Sequence, residues 1–223
     1  MKTTKEMFKV IGVLLLTIVL LSGCSETKNE KVSTDTKGQT ASTNKGKKLN
    51  IVSSESKLEW MGKKVTGQHN GTVDLGKGDL YVDGGKLTGG SFEIDFSTIK
   101  VLDITDESLN AKLTGHLKSD DFFSVSTFSI GKFEITSVTA IPNATTNNYT
   151  IGGKLTIKGI TKEISFPAKV NISGDAVTAM ADFNIDRTLW DIKYNSGKYF
   201  ENLGDKLISD EFNIKFNIIA KQI

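Results

Sequence analysis

The chain has 223 residues, 38% hydrophobic and 24% charged, which suits one or two domains with a sizeable core. Its single Cys excludes a disulfide framework, and 21 Gly against 2 Pro, with 12 Phe, favour strands and tight turns over long helices. The formal charge of +2 comes from residues 1–23, which hold three lysines and one glutamate; the remainder carries 25 basic and 25 acidic residues and has no basic footprint for nucleic acid.

Residues 1–23 read as an export signal, with Lys2, Lys5 and Lys9 ahead of an uncharged run over 10–21. That run is too short to span a bilayer, which takes about 20 apolar residues in a helix. Leu21-Ser22-Gly23-Cys24 resembles the bacterial lipobox, in which the cysteine sulfur receives a diacylglycerol before cleavage ahead of it. A lone cysteine closing an ordinary export signal is the plainer alternative. Acyl chains on Cys24 would hold the protein at a membrane, each buried methylene contributing about 0.8 kcal/mol. By resemblance to Gram-negative lipoproteins, Ser25 in place of an Asp favours the outer membrane, with the protein facing the periplasm.

Residues 25–48 contain one Val, one Ala and no other apolar side chain, too little to fold. The lipidated Cys and a flexible tether are therefore expected over 24–49, and a single domain over 50–223. As a coil, the tether would span roughly 25–30 Å root-mean-square.

Within the domain the dominant signal is period two, which puts alternate side chains on opposite faces of a strand. Short candidates come first, at 58–60, 72–75 and 80–82. Phe92, Ile94 and Phe96 then alternate with Glu93 and Asp95. The spacing of Leu109, Leu113, His116 and Leu117 predicts one short helix over 106–117, with Thr105 as N-cap and Asp106 and Glu107 favouring its dipole. Strands are predicted at 128–138 and 149–158, then at 164–172 and 177–185, which form a hairpin about Gly174-Asp175. An irregular excursion over 187–206 precedes a last strand over 212–218. Some eight or nine antiparallel strands, several of nine to eleven residues with one apolar face, call for closure into a barrel or a two-sheet sandwich.

The segment HLKSDDFFSV over 116–125, KLTIKGITKEISFP over 154–167, FNIDRTLWDIKY over 183–194, and Trp60 with Gln68-His69-Asn70-Gly71 resemble the YceI-like family in order across residues 50–223. The resemblance implies an all-β, lipocalin-like closed barrel of about eight strands with one short helix. It also implies an apolar cavity and the binding of polyisoprenoid or another long-chain lipid in the bacterial envelope. An eight-stranded barrel has room inside for side chains or one slender ligand.

The residues offer little for catalysis. There is no HExxH pair, no GxSxG elbow and no phosphate-cradling glycine motif, so the chain reads as a binding protein rather than an enzyme, with no cofactor and no metal. His69 and His116 are either hydrogen-bonded parts of the barrel wall or ligand contacts. Arg187 either meets a phosphate or carboxylate headgroup at a barrel mouth or pairs with Asp186 or Asp191. Trp60, Phe122, Phe123 and Trp190 are candidates to line a lipid cavity or to pack an ordinary core. Small Gly153, Ala168, Ala179 and Ala181 on apolar faces are expected to leave room inside, with the cavity open near the helix and the 187–206 excursion. The resulting expectation is a membrane-anchored lipid binder for storage, sensing or transport. The alternative is a structural or interaction module of the envelope whose barrel is filled by its own side chains.

Overall fold

A computed structural model describes residues 41–222. The signal segment, Cys24 and most of the predicted tether lie outside them. Nine strands alternate along the chain: β1 (Lys47–Ile51), β2 (Lys57–Lys64), β3 (Gly67–Asp83), β4 (Lys86–Val101), β5 (Ile130–Ala140), β6 (Tyr149–Ile157), β7 (Ile160–Ser173), β8 (Ala176–Asp186) and β9 (Ile208–Lys221). All pairings are antiparallel, and the sheet closes because β9 pairs with β2 while β3 pairs with β4. β1 and β2 share one lane between β3 and β9, with a 3-10 turn at Ser53–Glu55 interrupting it, so the barrel has eight lanes. Closure leaves no long unpaired edge.

Order begins earlier than the composition predicts. Residues 41–46, expected within the tether, lie along the barrel: Ser42 N–H donates to the Thr136 carbonyl and Thr43 N–H to the Thr88 carbonyl. Here the sheet supplies acceptors to a segment with almost no apolar surface of its own. The one α-helix among the described residues, α1 (Glu107–Lys118), starts one residue later than predicted, and Asp106 rather than Thr105 is its N-cap, its carboxylate accepting from Leu109 N–H at 2.9 Å. Leu109 points to solvent, so only Leu113, His116 and Leu117 form the inward face.

The up-and-down order puts the connections 65–66, 102–129, 158–159 and 187–207 at one end of the barrel. The turns 84–85, 141–148 and 174–175, and the start of β1, lie at the other end. That second end is packed solid by Leu49, Ala168, Val177, Ile218 and Ala220, each at most 2% exposed. At mid-height comes a belt of phenylalanines: Phe166 stacks on Phe183 with ring centroids 4.2 Å apart, Phe133 and Phe216 pack on this pair at 5.6–6.1 Å, and Phe92 packs on Phe133 at 5.4 Å.

Candidate functional site: an apolar cavity and its mouth

Above the phenylalanine belt the barrel is hollow. A narrow cavity of about 60 Å³ runs between Leu58, Val73, Ile94, Leu155, Ile164 and Ile214 and upward to Trp60, Phe96, Phe123 and Phe212, with no polar side chain in its wall apart from the indole of Trp60. Alternation puts every second residue of each strand on this wall, so the apolar runs in the sequence become a continuous dry lining.

A second hollow of about 80 Å³ continues from the first through the shared residues Trp60, Phe123 and Phe212 and reaches Gly62, Leu117, Phe122, Arg187 and Ile192. It is the mouth, and two connections cover it. The first is α1 with the turn that follows it, held to the barrel where Asn110 donates to the carbonyls of Val101 and Ile104 and Lys118 to that of Ser97. The second is the 187–207 connection. His116 stands edge-on to both Phe122 and Tyr194, at 4.9 and 4.6 Å, and Lys158 donates to the carbonyls of Asp120 and Asp191. These contacts clip the two covers together.

Of the side chains singled out from the sequence, Trp60 and Phe123 line cavity and mouth, while Phe122 and Arg187 line the mouth. His116 lies one layer out, bonded to Asp121 at 2.9 Å and packed on Phe122. His69 is at the rim, with Nδ1 at 2.7 Å from Asp103, whose other oxygen accepts from Asn70 N–H. Burial acts to raise the Asp103 pKa, but the bonds from Asn70 and His69 outweigh it and hold the carboxyl below its ordinary value. Trp190 is wholly buried outside both hollows and donates from Nε1 to the Leu155 carbonyl at 3.0 Å.

Arg187 is 4% exposed, and all three guanidinium nitrogens donate to backbone carbonyls: Nε to Ser209, one terminal nitrogen to Ile192 and the other to Ile208, at 2.8–3.1 Å. Asp210 is 3.7 Å away, an ion pair without a hydrogen bond. Burial lowers the Arg187 pKa, with Asp210 and Asp186 opposing, and the group remains charged. The partners expected from the sequence, Asp186 and Asp191, instead pair with Lys198 and Lys193. By contrast, the Trp60 N–H is the one buried side-chain donor without a partner among the described residues.

Gly153, Ala168, Ala179 and Ala181 do not line the cavity. A Cβ at Gly153 would fall on the Phe133 ring, so this glycine makes room for a phenylalanine rather than a ligand. Ala168, Ala179 and Ala181 are buried below the hollow half. The lining residues that sequence reasoning did not single out are chiefly Phe212 and Ile214. Their alternation with Asn213 and Lys215 was visible, but not which end of the barrel they face. Among the described residues no three His, Cys, Asp or Glu side chains are grouped to hold a metal.

An eight-lane antiparallel barrel, hollow at one end and capped there by a helix, is a lipocalin-like architecture. The model of the YceI-like domain matches residues 49–220, and the chain belongs to that family. The UPF0312 protein SAB2563 of Staphylococcus aureus (strain bovine RF122 / ET3-1) is 36% identical over 112 residues, 45% of this chain and 61% of that protein. The UPF0312 protein SA2479 of strain N315 matches to the same extent. The chain thus spans less than two thirds of the length of these curated relatives. Among solved structures, BcnA of Burkholderia cenocepacia is similar with a TM-score of 0.61 at 21% identity, over 77% of this chain and 99% of that one. A polyisoprenoid binding domain from Saccharophagus degradans, implicated in plant cell wall breakdown, gives 0.57 at 13%, over 78% and 98%. These last two likenesses are of fold.

Proposed function

We propose that the barrel binds one long apolar chain, a polyisoprenoid or related lipid, for storage, sensing or transport at a membrane to which Cys24 is lipid-linked. The observation that carries the reading is the cavity lined wholly by hydrocarbon and aromatic side chains that continues into the mouth beneath α1. Each Å² of apolar ligand surface taken from water into it contributes roughly 25 cal/mol, so a slender chain needs no charged anchor. The Trp60 N–H is the donor left for a polar group at the chain's end. The family match and the Saccharophagus domain of the same fold, described as polyisoprenoid binding, support the same class of ligand.

The test is native mass spectrometry and solvent extraction of the purified protein, beside Ile214→Trp, which adds an indole to the cavity wall. Wild type should carry lipid and the variant should not, with stability changed by less than about 1.5 kcal/mol, because the added volume enters empty space. A wild type that is empty and refuses prenyl lipids and fatty acids would leave the filled structural module. The anchor is tested separately: Cys24→Ser should abolish incorporation of radiolabelled palmitate, and undiminished labelling would remove the lipoprotein half of the proposal.

A further inference from the structure

Eight large apolar side chains are exposed among the described residues, and all eight lie at the mouth end. Val65 tips the β2–β3 turn; Leu102 and Leu109 follow β4; Leu189, Tyr199 and Phe200 belong to the 187–207 connection. The other two, Phe128 and Ile130, stand where β5 begins. The opposite end exposes none among these residues. Random scatter of single exposed hydrophobics is ordinary; their confinement to one end, on three of its four connections and the start of β5, is not.

The geometry points to this collar as a surface that sits on a lipid bilayer, with the mouth turned into the headgroup layer. Three observations favour a bilayer as the occupant. The collar is carried mainly by the two connections that cover the mouth of the apolar cavity, so a hydrocarbon chain leaving the barrel there would meet the bilayer rather than open water. Its side chains are spread over three separate connections rather than along one helix or strand face, a form that suits a deformable interface better than a close-packed protein partner. Exposed Lys63 and Lys64 flank Val65, where long stems can bury and ammonium groups stay in the headgroups, and beside Tyr199 stand Lys193 and Lys198, each ion-paired with an aspartate of the same connection or its start.

Two further facts fix the arrangement. The chain preceding residue 41 joins at the opposite end, where Ala41 bridges to Ser137 and β1 starts beside Val82. From Cys24 to Ala41 it can reach at most roughly 60 Å, more than the roughly 40 Å height of a barrel whose longer strands tilt by about 40°. An anchor at Cys24 therefore leaves the mouth able to face the same membrane. The connections also carry acids, Asp106, Glu107, Asp120 and Glu201 among them, which balance the lysines. Apolar insertion rather than charge must then supply the affinity, and docking should be nearly indifferent to lipid charge and to salt.

The experiment uses the chain from residue 24 on, with Cys24→Ser so that no acyl group contributes, in flotation with vesicles of phosphatidylcholine alone and with added phosphatidylglycerol. The unsubstituted collar should float with both, at low and high salt. Val65→Ser with Tyr199→Ser and Phe200→Ser should weaken partitioning about ten-fold or more while circular dichroism stays unchanged, and Lys86→Ala at the opposite end should have no effect. A chain that stays in solution, a collar variant that floats as well as its parent, or binding confined to anionic vesicles and lost in salt would overturn the proposal. So would lipid-free dimers in ultracentrifugation that the same three substitutions dissolve, since the collar would then join two copies. A protein that floats yet yields no extractable lipid would leave this surface standing and remove the cavity reading, so the two fail separately.

Discussion

Arg187 offers a clean choice between holding the fold and holding a ligand. Its three bonds go to backbone carbonyls of the connection it begins and of β9, so it ties the cover of the mouth to the barrel wall. Replacing it with Met keeps the length and removes every donor. A hydrogen bond to a charged group contributes roughly 1.5–3 kcal/mol, which for three bonds is an upper limit. Ser209 is exposed and Ile208 half-buried, so water can reach both of their carbonyls, whereas Ile192 is 1% exposed and its carbonyl would be left without a donor. The variant should therefore lose about 2–4 kcal/mol, or about 5–15 °C in Tm for a domain of this size. Arg187→Lys should lose much of the same, because one ammonium cannot serve three divergent carbonyls. The assay is urea and thermal unfolding followed by the fluorescence of buried Trp190, with bound lipid measured on the same samples. An Arg187→Met protein as stable as wild type but selectively stripped of lipid would show that the guanidinium serves a ligand headgroup and that the carbonyl bonds are incidental.

Gly153→Leu should destabilise by about 1–3 kcal/mol through overpacking on Phe133, and Phe133→Leu in the same chain should recover part of it, as read from denaturation midpoints. Burial tends to raise the Asp186 pKa, but bonds from Lys198 and Thr188 outweigh it and hold the carboxyl below its ordinary value. That contribution is complete above the unfolded-state pKa of about 4 and is lost as pH falls through the lower folded value. Protection factors against hydrogen exchange in 187–207 should therefore fall only in acid, below about pH 4, and Asp186→Asn should remove that pH dependence.

Much of the barrel was legible because it is antiparallel and one-sided: the alternating runs at 149–158, 164–172 and 177–185 fall on β6, β7 and β8 with short extensions, and the Gly174-Asp175 turn joins the last two. β3 was visible only as fragments at 72–75 and 80–82. Between them Gly76-Lys77-Gly78-Asp79 has no apolar residue, and there the pairing with β4 shifts register between Leu75 and Gly78. A bulge breaks the period on which the reading depends. β1 was not predicted: Lys47 and Lys48 resemble the tether before them, Leu49 to Ile51 are too few to show a period, and only the partner strands β3 and β9 make this segment part of the sheet.

The site was less legible than the fold, for a reason built into period two. Alternation states that a residue faces the interior but not at what height, and this interior changes character along its axis. Ala179, Ala181, Phe183 and Ile185 share one face of β8, yet the alanines lie in the packed half and the other two line the cavity. Small residues looked like vacant space and instead accept neighbours, as Gly153 accepts Phe133. Large ones looked like filling and instead wall the hollow, because the phenylalanines meet in a belt that stops below the mouth. Room for a chain thus depends on where rings from five different strands converge, a property of register and closure that no single strand encodes. The same holds for the rim: Val65, Leu109 and Phe200 are unremarkable in their own segments and become a collar only when the up-and-down order brings alternate connections to one end.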